Sequence, residues 1–289
     1  RRLLGGRCAT LEVFDLAEGM SLADLEAAIE FGGETSGFLK GRSVRGLFGK
    51  GLKEAIVALG EGQITSVKNG YESSLKIWFD SHSNKYLYRI LKDSRNTDSK
   101  NGTSISIEVK NDKIMTPGFT ALYTSLTRHF ALRDININPK RKVLLQVNDV
   151  RINRTKPIKY NIPDGKLRIS QQVNIPHLGN CFVEIREANV KLDFNSYNPS
   201  SEAGILVRSN GIILDNRLFG FENDEASYFF FGLADCPGIS ESIRKGDQSI
   251  IDPNRSGLDW RYHVCKEMNS VIHAVLKPKK TRNRQPSPL

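Results

Sequence analysis

The sequence predicts an α+β protein: an antiparallel sheet carrying a pair of helices on one face, followed by a second α/β domain. Three observations lead there. Apolar residues recur at helical spacing in two short segments, 21–30 and 51–59. From residue 63 to 110 the period changes to two, in runs separated by turn residues. The 289 residues exceed the ~100–200 of one domain, and a turn-rich break falls at Asn111–Pro117.

Thr10–Asp15 (TLEVFD) alternates as a strand and ends in a carboxylate. Ser21-Leu-Ala-Asp24 reads as a capping box opening a helix over Ser21–Glu30, with Leu22, Leu25, Ala28 and Ile29 on one face. Residues 32–46 hold five glycines, two serines and a threonine, the composition of a mobile loop. A second helix, Gly51–Leu59, buries Leu52, Ala55, Ile56 and Leu59 and stops at Gly60. Strands follow at Gln63–Lys68 and Glu72–Phe79, joined by an Asn69-Gly70 hairpin turn, then at Lys85–Lys92 and Thr103–Lys110. Beyond the break, Phe119–Leu132 is helical, and short strands are punctuated by Asp164-Gly165, Asn210-Gly211 and the Tyr197–Ser201 segment. Tyr228–Phe231 reads as buried strand, and helices return at Gly238–Lys245 and Leu258–Leu276. The domains are therefore expected at 1–112 and 113–276, with 277–289 a disordered basic tail.

Composition narrows the function. Hydrophobic residues at 39% and charged residues at 26% exclude global disorder, and no run approaches the ~18 apolar residues of a membrane span. The apolar core of RRLLGGRCATLEVF is too short for a signal peptide, so a cytoplasmic location is expected. The four cysteines, Cys8, Cys181, Cys236 and Cys265, form no CxxC pair and read as reduced thiols. No HExxH occurs, and the His263/Cys265 pair lacks a second ligand pair nearby in sequence, so no metal site is expected in the chain. The net charge of +10 favours an anionic partner: a nucleotide, a nucleic acid or an acidic protein.

The segment that carries chemistry is Arg45-Gly46-Leu47-Phe48-Gly49-Lys50-Gly51-Leu52-Lys53. Glycines let a backbone approach an anion closely, the helix start presents unpaired N–H groups, and Lys50 and Lys53 add full charges. The pattern is neither a GxxxxGK[ST] loop nor a GxGxxG fingerprint, since Glu54 stands where the third glycine of the latter would be. A flexible loop leading into a helix without any ligand is the alternative.

The order of the neighbouring motifs resembles the GHKL ATPases, the superfamily of gyrase B, heat-shock chaperones, histidine kinases and MutL. A strand ends in Asp15, then come Glu18-Gly19-Met20, a helix, a glycine-rich loop, GLFGKG at Gly46–Gly51, and Gly102-Thr103 entering a strand. The resemblance implies a Bergerat-type sandwich that binds ATP with Mg²⁺. By it, Asp15 accepts from the adenine amino group and Gly19 passes close to the base. Gly46, Leu47, Phe48, Gly49, Lys50, Gly51 and Lys53 wrap the phosphates, and Thr103 acts through its place at the strand start. Met20 either lines the adenine pocket or fills core. Ala17 replaces the motif's first glycine. The runs LTRHFALRDI, GILVRSNGIILDNRLFGFEND and RSGLDWRYH resemble a prokaryotic group of the same superfamily, in which a transducer-like domain follows the ATPase domain.

In that family a helix upstream of the aspartate strand supplies a glutamate base and a Mg²⁺-binding asparagine. Only fourteen residues precede Asp15, and none forms a Glu-x-x-x-Asn pair, so the ATPase domain reads as truncated at its N-terminal helix. The chain is then a fragment of a longer ATPase, receives its helix from elsewhere, or has lost catalysis. As written it is not expected to hydrolyse ATP efficiently. ATP, a homodimer partner, and DNA or RNA bound through the basic surface and tail are the expected partners. The alternative is a non-enzymatic basic interaction module on the same scaffold. Trp260, with Arg261 and Tyr262, is either a nucleic-acid contact or a helix start. Lys40, Arg42 and Arg45 either close over phosphate or stay solvated.

Overall fold

A computed structural model describes residues 5–6, 8–29, 51–149, 152–195, 198–252 and 257–280. The chain divides into two compact units, Arg1–Phe119 and Thr120–Leu289, so the division lies a few residues beyond the break expected at 112/113.

In the N-terminal unit the elements run β1 (Gly5–Gly6), β2 (Thr10–Asp15), α1 (Leu22–Ile29), α2 (Gly51–Leu59), β3 (Gly60–Lys68), β4 (Tyr71–Asp80), β5 (Lys85–Asn96), β6 (Gly102–Val109) and β7 (Thr116–Pro117). Five strands form an antiparallel sheet in the order β2-β6-β3-β4-β5, and β1 pairs with β7. Asn69 and Gly70, with φ of 53° and 80°, make the tight turn between β3 and β4. The capping box is real: Ser21 Oγ accepts from Asp24 N at 3.2 Å while Asp24 Oδ2 accepts from Ser21 N at 3.0 Å.

Cross-strand neighbours point to one side of a sheet, which lets the register be read as transverse rows. Leu11–Ile107–Gly62–Ile77 is one row and Val13–Ile105–Ile64–Leu75 the next. Both lie on the helix side, because Leu25 and Ile29 of α1 and Ile56 of α2 join Ile64, Leu75, Ile77 and Ile107 in one core. The opposite face carries Glu12, Ser104, Ser106, Gln63, Thr65 and Lys76 and is solvated.

As expected, helix α2 ends just before Gly60, though without the positive φ of a glycine cap. It passes straight into β3, and Leu59 O accepts from both Lys110 N and Asn111 N at 3.0 Å. Gly60 is required by the packing instead, since a Cβ there would lie 2.2 Å from Glu108 O. The neighbouring Glu61 binds Lys76 at 2.6 Å and Lys110 at 2.9 Å. Its carboxyl is held down at about 2, by the Lys76 hydrogen bond first and that of Lys110 second. A depressed carboxyl stabilises above the ordinary carboxylate range and stops doing so as pH falls towards 2. Glu61→Gln is therefore expected to destabilise the N-terminal unit by about 1 kcal/mol at pH 7 and by nothing near pH 2. Urea unfolding at the two pH values checks this, and a pH-independent gap would refute it.

The C-terminal unit contains α3 (Phe119–Arg128), a 3₁₀ turn at Phe130–Leu132, α4 (Arg133–Asn136), β8 (Val143–Asp149), β9 (Ile152–Ile158), β10 (Gly165–Ile175), β11 (Gly179–Ala188), β12 (Gly204–Ser209), β13 (Ile212–Arg217), a second 3₁₀ turn at Glu225–Phe229, β14 (Phe230–Asp235), α5 (Pro237–Arg244), a third at Gln248–Ile250, and α6 (His263–Lys280). Its five-stranded sheet has the order β10-β11-β14-β12-β13, with β12 and β14 parallel, while β8 and β9 form a separate two-stranded ribbon. Helices α5 and α6 pack on the sheet, bringing Ile239, Ile243, Met268 and Ile272 to a core that includes Val183, Ile185, Ile205, Val207 and Ala234. Among the described residues no helix is long and apolar enough to cross a membrane.

Several sequence expectations change here for local reasons. The helix over 119–132 ends at Arg128, because buried side chains take its terminal carbonyls. Arg133 Nε donates to Arg128 O at 3.0 Å, and Asn136 Nδ2 donates to Leu126 O and Thr127 O, both at 3.0 Å. Tyr228 and Phe229 belong to a 3₁₀ turn, so the strand starts only at Phe230. Gly165 opens β10 rather than joining two strands. Leu258 bridges to Ile251, which delays α6 to His263, and the helix then runs to Lys280, four residues into the segment expected to be disordered. Residues 281–289 lie outside the described part. Cys181 and Cys236 are joined as a disulfide, against the expectation of reduced thiols. Adjacent strands β11 and β14 bring them together across 55 residues of chain, a pairing that cysteine spacing does not reveal.

Candidate functional site

The next transverse row of the N-terminal sheet differs from the two below it. It reads Asp15 on β2, Thr103 on β6, Ser66 on β3 and Ser73 on β4. Alternation keeps these four side chains on the helix side, so a strip of carboxylate and hydroxyls borders an otherwise apolar face.

Ser66 is the centre of this row and has no exposed surface. Its Oγ accepts from Met20 N at 2.8 Å, donates to Gly102 O at 3.1 Å and lies 2.9 Å from Thr103 Oγ1. One hydroxyl thus joins the turn after β2 to the start of β6. Thr103 takes part through its hydroxyl as well as its position, which goes beyond what the sequence suggested. The signal for Ser66 was present in β3: on its inward-facing positions, Ile64 is followed by a small polar residue where the apolar pattern calls for another large side chain.

Asp15 is exposed, and its Oδ1 accepts from Ala17 N at 2.9 Å, which orients the carboxylate across the turn. Its Oδ2 has no hydrogen-bond partner among the described residues. Gly19 has φ of +73°, and a Cβ on it would lie 1.9 Å from Val67 O. The glycine is demanded by the turn's seat on β3, a reason internal to the protein. Met20 packs against the apolar core while its N–H holds Ser66, so the core-filling alternative describes its side chain.

Gly51 opens α2, and no atom of the described residues lies within 4 Å of the place a Cβ would occupy. Lys53, one turn into the helix, is buried, and its Nζ donates to Ile29 O at 3.3 Å, at the carbonyl end of α1 where a cation is favoured. Gly46, Leu47, Phe48, Gly49 and Lys50 lie outside the described residues, as do Lys40, Arg42 and Arg45. The structure therefore brings Asp15, Gly19, Met20 and Thr103 together around Ser66. Gly51 and Lys53 stand on α2, which packs on β3, β4 and β6 of the same sheet. Among the described residues no three His, Cys, Asp or Glu side chains converge as a metal site.

Trp260 serves the C-terminal unit's interior. Its Nε1 donates to Asp215 Oδ2 at 2.7 Å, and its ring meets Phe219 edge-on at 5.5 Å. Tyr262 donates its hydroxyl to Asp247 at 3.0 Å.

No family model matches the sequence, and no curated protein matches it. The fold does have solved counterparts. The chain is similar to the N-terminal domain of a DNA repair protein, with a TM-score of 0.50 and 10% identity over 97% of this chain and 86% of that one. It is also similar, at a TM-score of 0.42 and 9% identity, to the B-subunit of the DNA gyrase from Myxococcus xanthus, over 96% of this chain and 85% of the other. At 10% identity the first likeness shows a fold alone, a mixed α+β architecture of antiparallel sheets and helices, and leaves chemistry to the site.

Proposed function

We propose that the N-terminal unit is a GHKL-type ATP-binding module that couples nucleotide binding to conformational change. The observation that carries this reading is the row Asp15–Thr103–Ser66–Ser73, set at the border of an apolar sheet face beside the Gly19 turn. A carboxylate fixed through one oxygen, with the other lacking a partner among the described residues, matches the amino group of adenine. The hydroxyls beside it match ring nitrogens or bridging water. The likeness to a DNA repair protein's N-terminal domain agrees in fold.

In this proposal Gly46–Gly51 and Lys53 hold phosphate, and Lys53 does so by leaving Ile29 O. Mg²⁺ would neutralise phosphate charge, but no cluster of carboxylates among the described residues fits it, so no step is assigned to the metal. Hydrolysis would need a base and metal ligands beyond the residues of this site. Leu11 and Val13 continue the apolar rows on the helix side of β2 yet remain 41% and 53% exposed, ground on which a further helix could pack.

Asp15→Asn replaces one acceptor by a donor without changing shape. It is expected to weaken ATP binding about tenfold or more while leaving inorganic triphosphate binding unchanged. Calorimetry with the two ligands decides, and an unchanged ATP affinity in the variant would reject the assignment.

A further inference from the structure

The ribbon of β8 and β9 concentrates positive charge. Between residues 140 and 159 the sequence carries Lys140, Arg141, Lys142, Arg151, Arg154, Lys156 and Lys159 against a single acid, Asp149. Several cations elsewhere are matched to carboxylates: Lys68 with Asp24, Lys76 and Lys110 with Glu61, Lys92 with Glu72, Arg168 with Glu187, Arg208 with Asp235. Lys140, Arg141, Lys142, Lys156 and Lys159 are exposed and form no ion pair among the described residues.

The ribbon's two faces have different tasks. Val143, Leu145, Val147 and Ile158 lie on one face together with Arg154 and Lys156, and Ile158 is buried there. Tyr123 of α3 donates to Pro157 O at 3.2 Å, and Lys156 Nζ sits 3.9 Å from the Tyr123 ring centroid, which fixes the ribbon to the unit. The other face presents Leu144 and Pro157, then Gln146 opposite Thr155, then Asn148 opposite Asn153, all exposed. Gln146 Nε2 donates to Asn148 Oδ1 at 3.2 Å, so the amides already form a ladder.

We propose that the β8–β9 ribbon is a binding surface for duplex DNA. A two-stranded antiparallel ribbon fits the ~12 Å major groove, where amide and hydroxyl side chains can meet base edges. Lysines and arginines along the same ribbon meet phosphates, which supply most of the affinity and make it salt-dependent. The outward face has no aromatic side chain on which unpaired bases would stack, which favours a duplex over a single strand. The proposal is independent of nucleotide binding by the N-terminal unit.

Fluorescence anisotropy of a labelled DNA duplex, titrated with the full chain at several salt concentrations, tests it. Lys140→Gln, Lys142→Gln and Lys159→Gln combined remove three exposed cations that form no ion pair among the described residues. The variant is expected to bind at least about tenfold more weakly and to lower the log–log salt slope by about 3. Because the basic tail is intact in both proteins, its contribution cancels. A second readout needs no variant: duplex DNA should protect Lys140, Lys142 and Lys159 of the wild-type chain from acetylation. Absence of duplex binding at low salt overturns the proposal. So does an unchanged slope and affinity in the variant, equal acetylation with and without DNA, or tighter binding of the single strand than of the duplex.

Discussion

Replacing Gly19 by alanine is expected to destabilise the N-terminal unit by about 3 kcal/mol, enough to lower its thermal midpoint by many degrees. Two effects add. The residue sits at φ +73°, which an alanine adopts only under strain, and its Cβ would lie 1.9 Å from Val67 O, a backbone atom that cannot swing aside. The turn must therefore lift off β3, and Met20 N would then withdraw from Ser66 Oγ, which it meets at 2.8 Å. If the unit binds ATP as proposed, weaker ATP binding should accompany the loss of stability. Gly51→Ala is the control, because a Cβ there meets nothing within 4 Å among the described residues. Comparable stability of the two variants in urea would show that the Gly19 turn is not seated as described.

The second large effect is expected at Asp215, on β13. Its Oδ2 accepts from Trp260 Nε1 at 2.7 Å and from Leu258 N at 3.3 Å, and its Oδ1 accepts from Asn216 N at 2.7 Å. These bonds hold the segment before α6 onto the sheet. Asp215→Ala leaves buried donors without an acceptor and is expected to destabilise the C-terminal unit by about 3 kcal/mol, with a change in Trp260 emission. Asp215→Asn keeps acceptor capacity and should lose less. The two also differ in pH response. Burial pushes the Asp215 carboxyl up, against the hydrogen bonds of Trp260 and Asn216. A raised carboxyl binds its proton more tightly in the folded state, so the wild-type contribution falls as pH climbs out of the ordinary carboxylate range. The asparagine variant should lack that fall. A cost below about 1 kcal/mol for Asp215→Ala would mean that Trp260 is not anchored there.

Much of the N-terminal unit was legible because its elements obey local rules. The alternation of TLEVFD gives β2, the Ser21/Asp24 box gives α1, and Asn69-Gly70 gives the hairpin between β3 and β4. What spacing alone hid was set by distant partners. Ser66 looks like one more strand residue until the register places it between Thr103 and Ser73. Lys53 carries a charge that suggested solvent and phosphate, yet it is buried against the end of α1. In the C-terminal unit the helix over 119–132 broke because Arg133 and Asn136 compete for its carbonyls, and the disulfide formed across strands far apart in sequence. Trp260 and its neighbours read equally as a nucleic-acid contact or a helix start, and neither reading revealed that Asp215 takes the indole.

The junction between α2 and β3 has a mechanical consequence. With Leu59 O gripped by two amides and Gly60 wedged beneath Glu108 O, the helix is clamped to the sheet at its carboxyl end. Lys53 and Ile56, buried nearer the opposite end, seat the rest of the helix, so α2 and the strand that follows it are expected to move as one body.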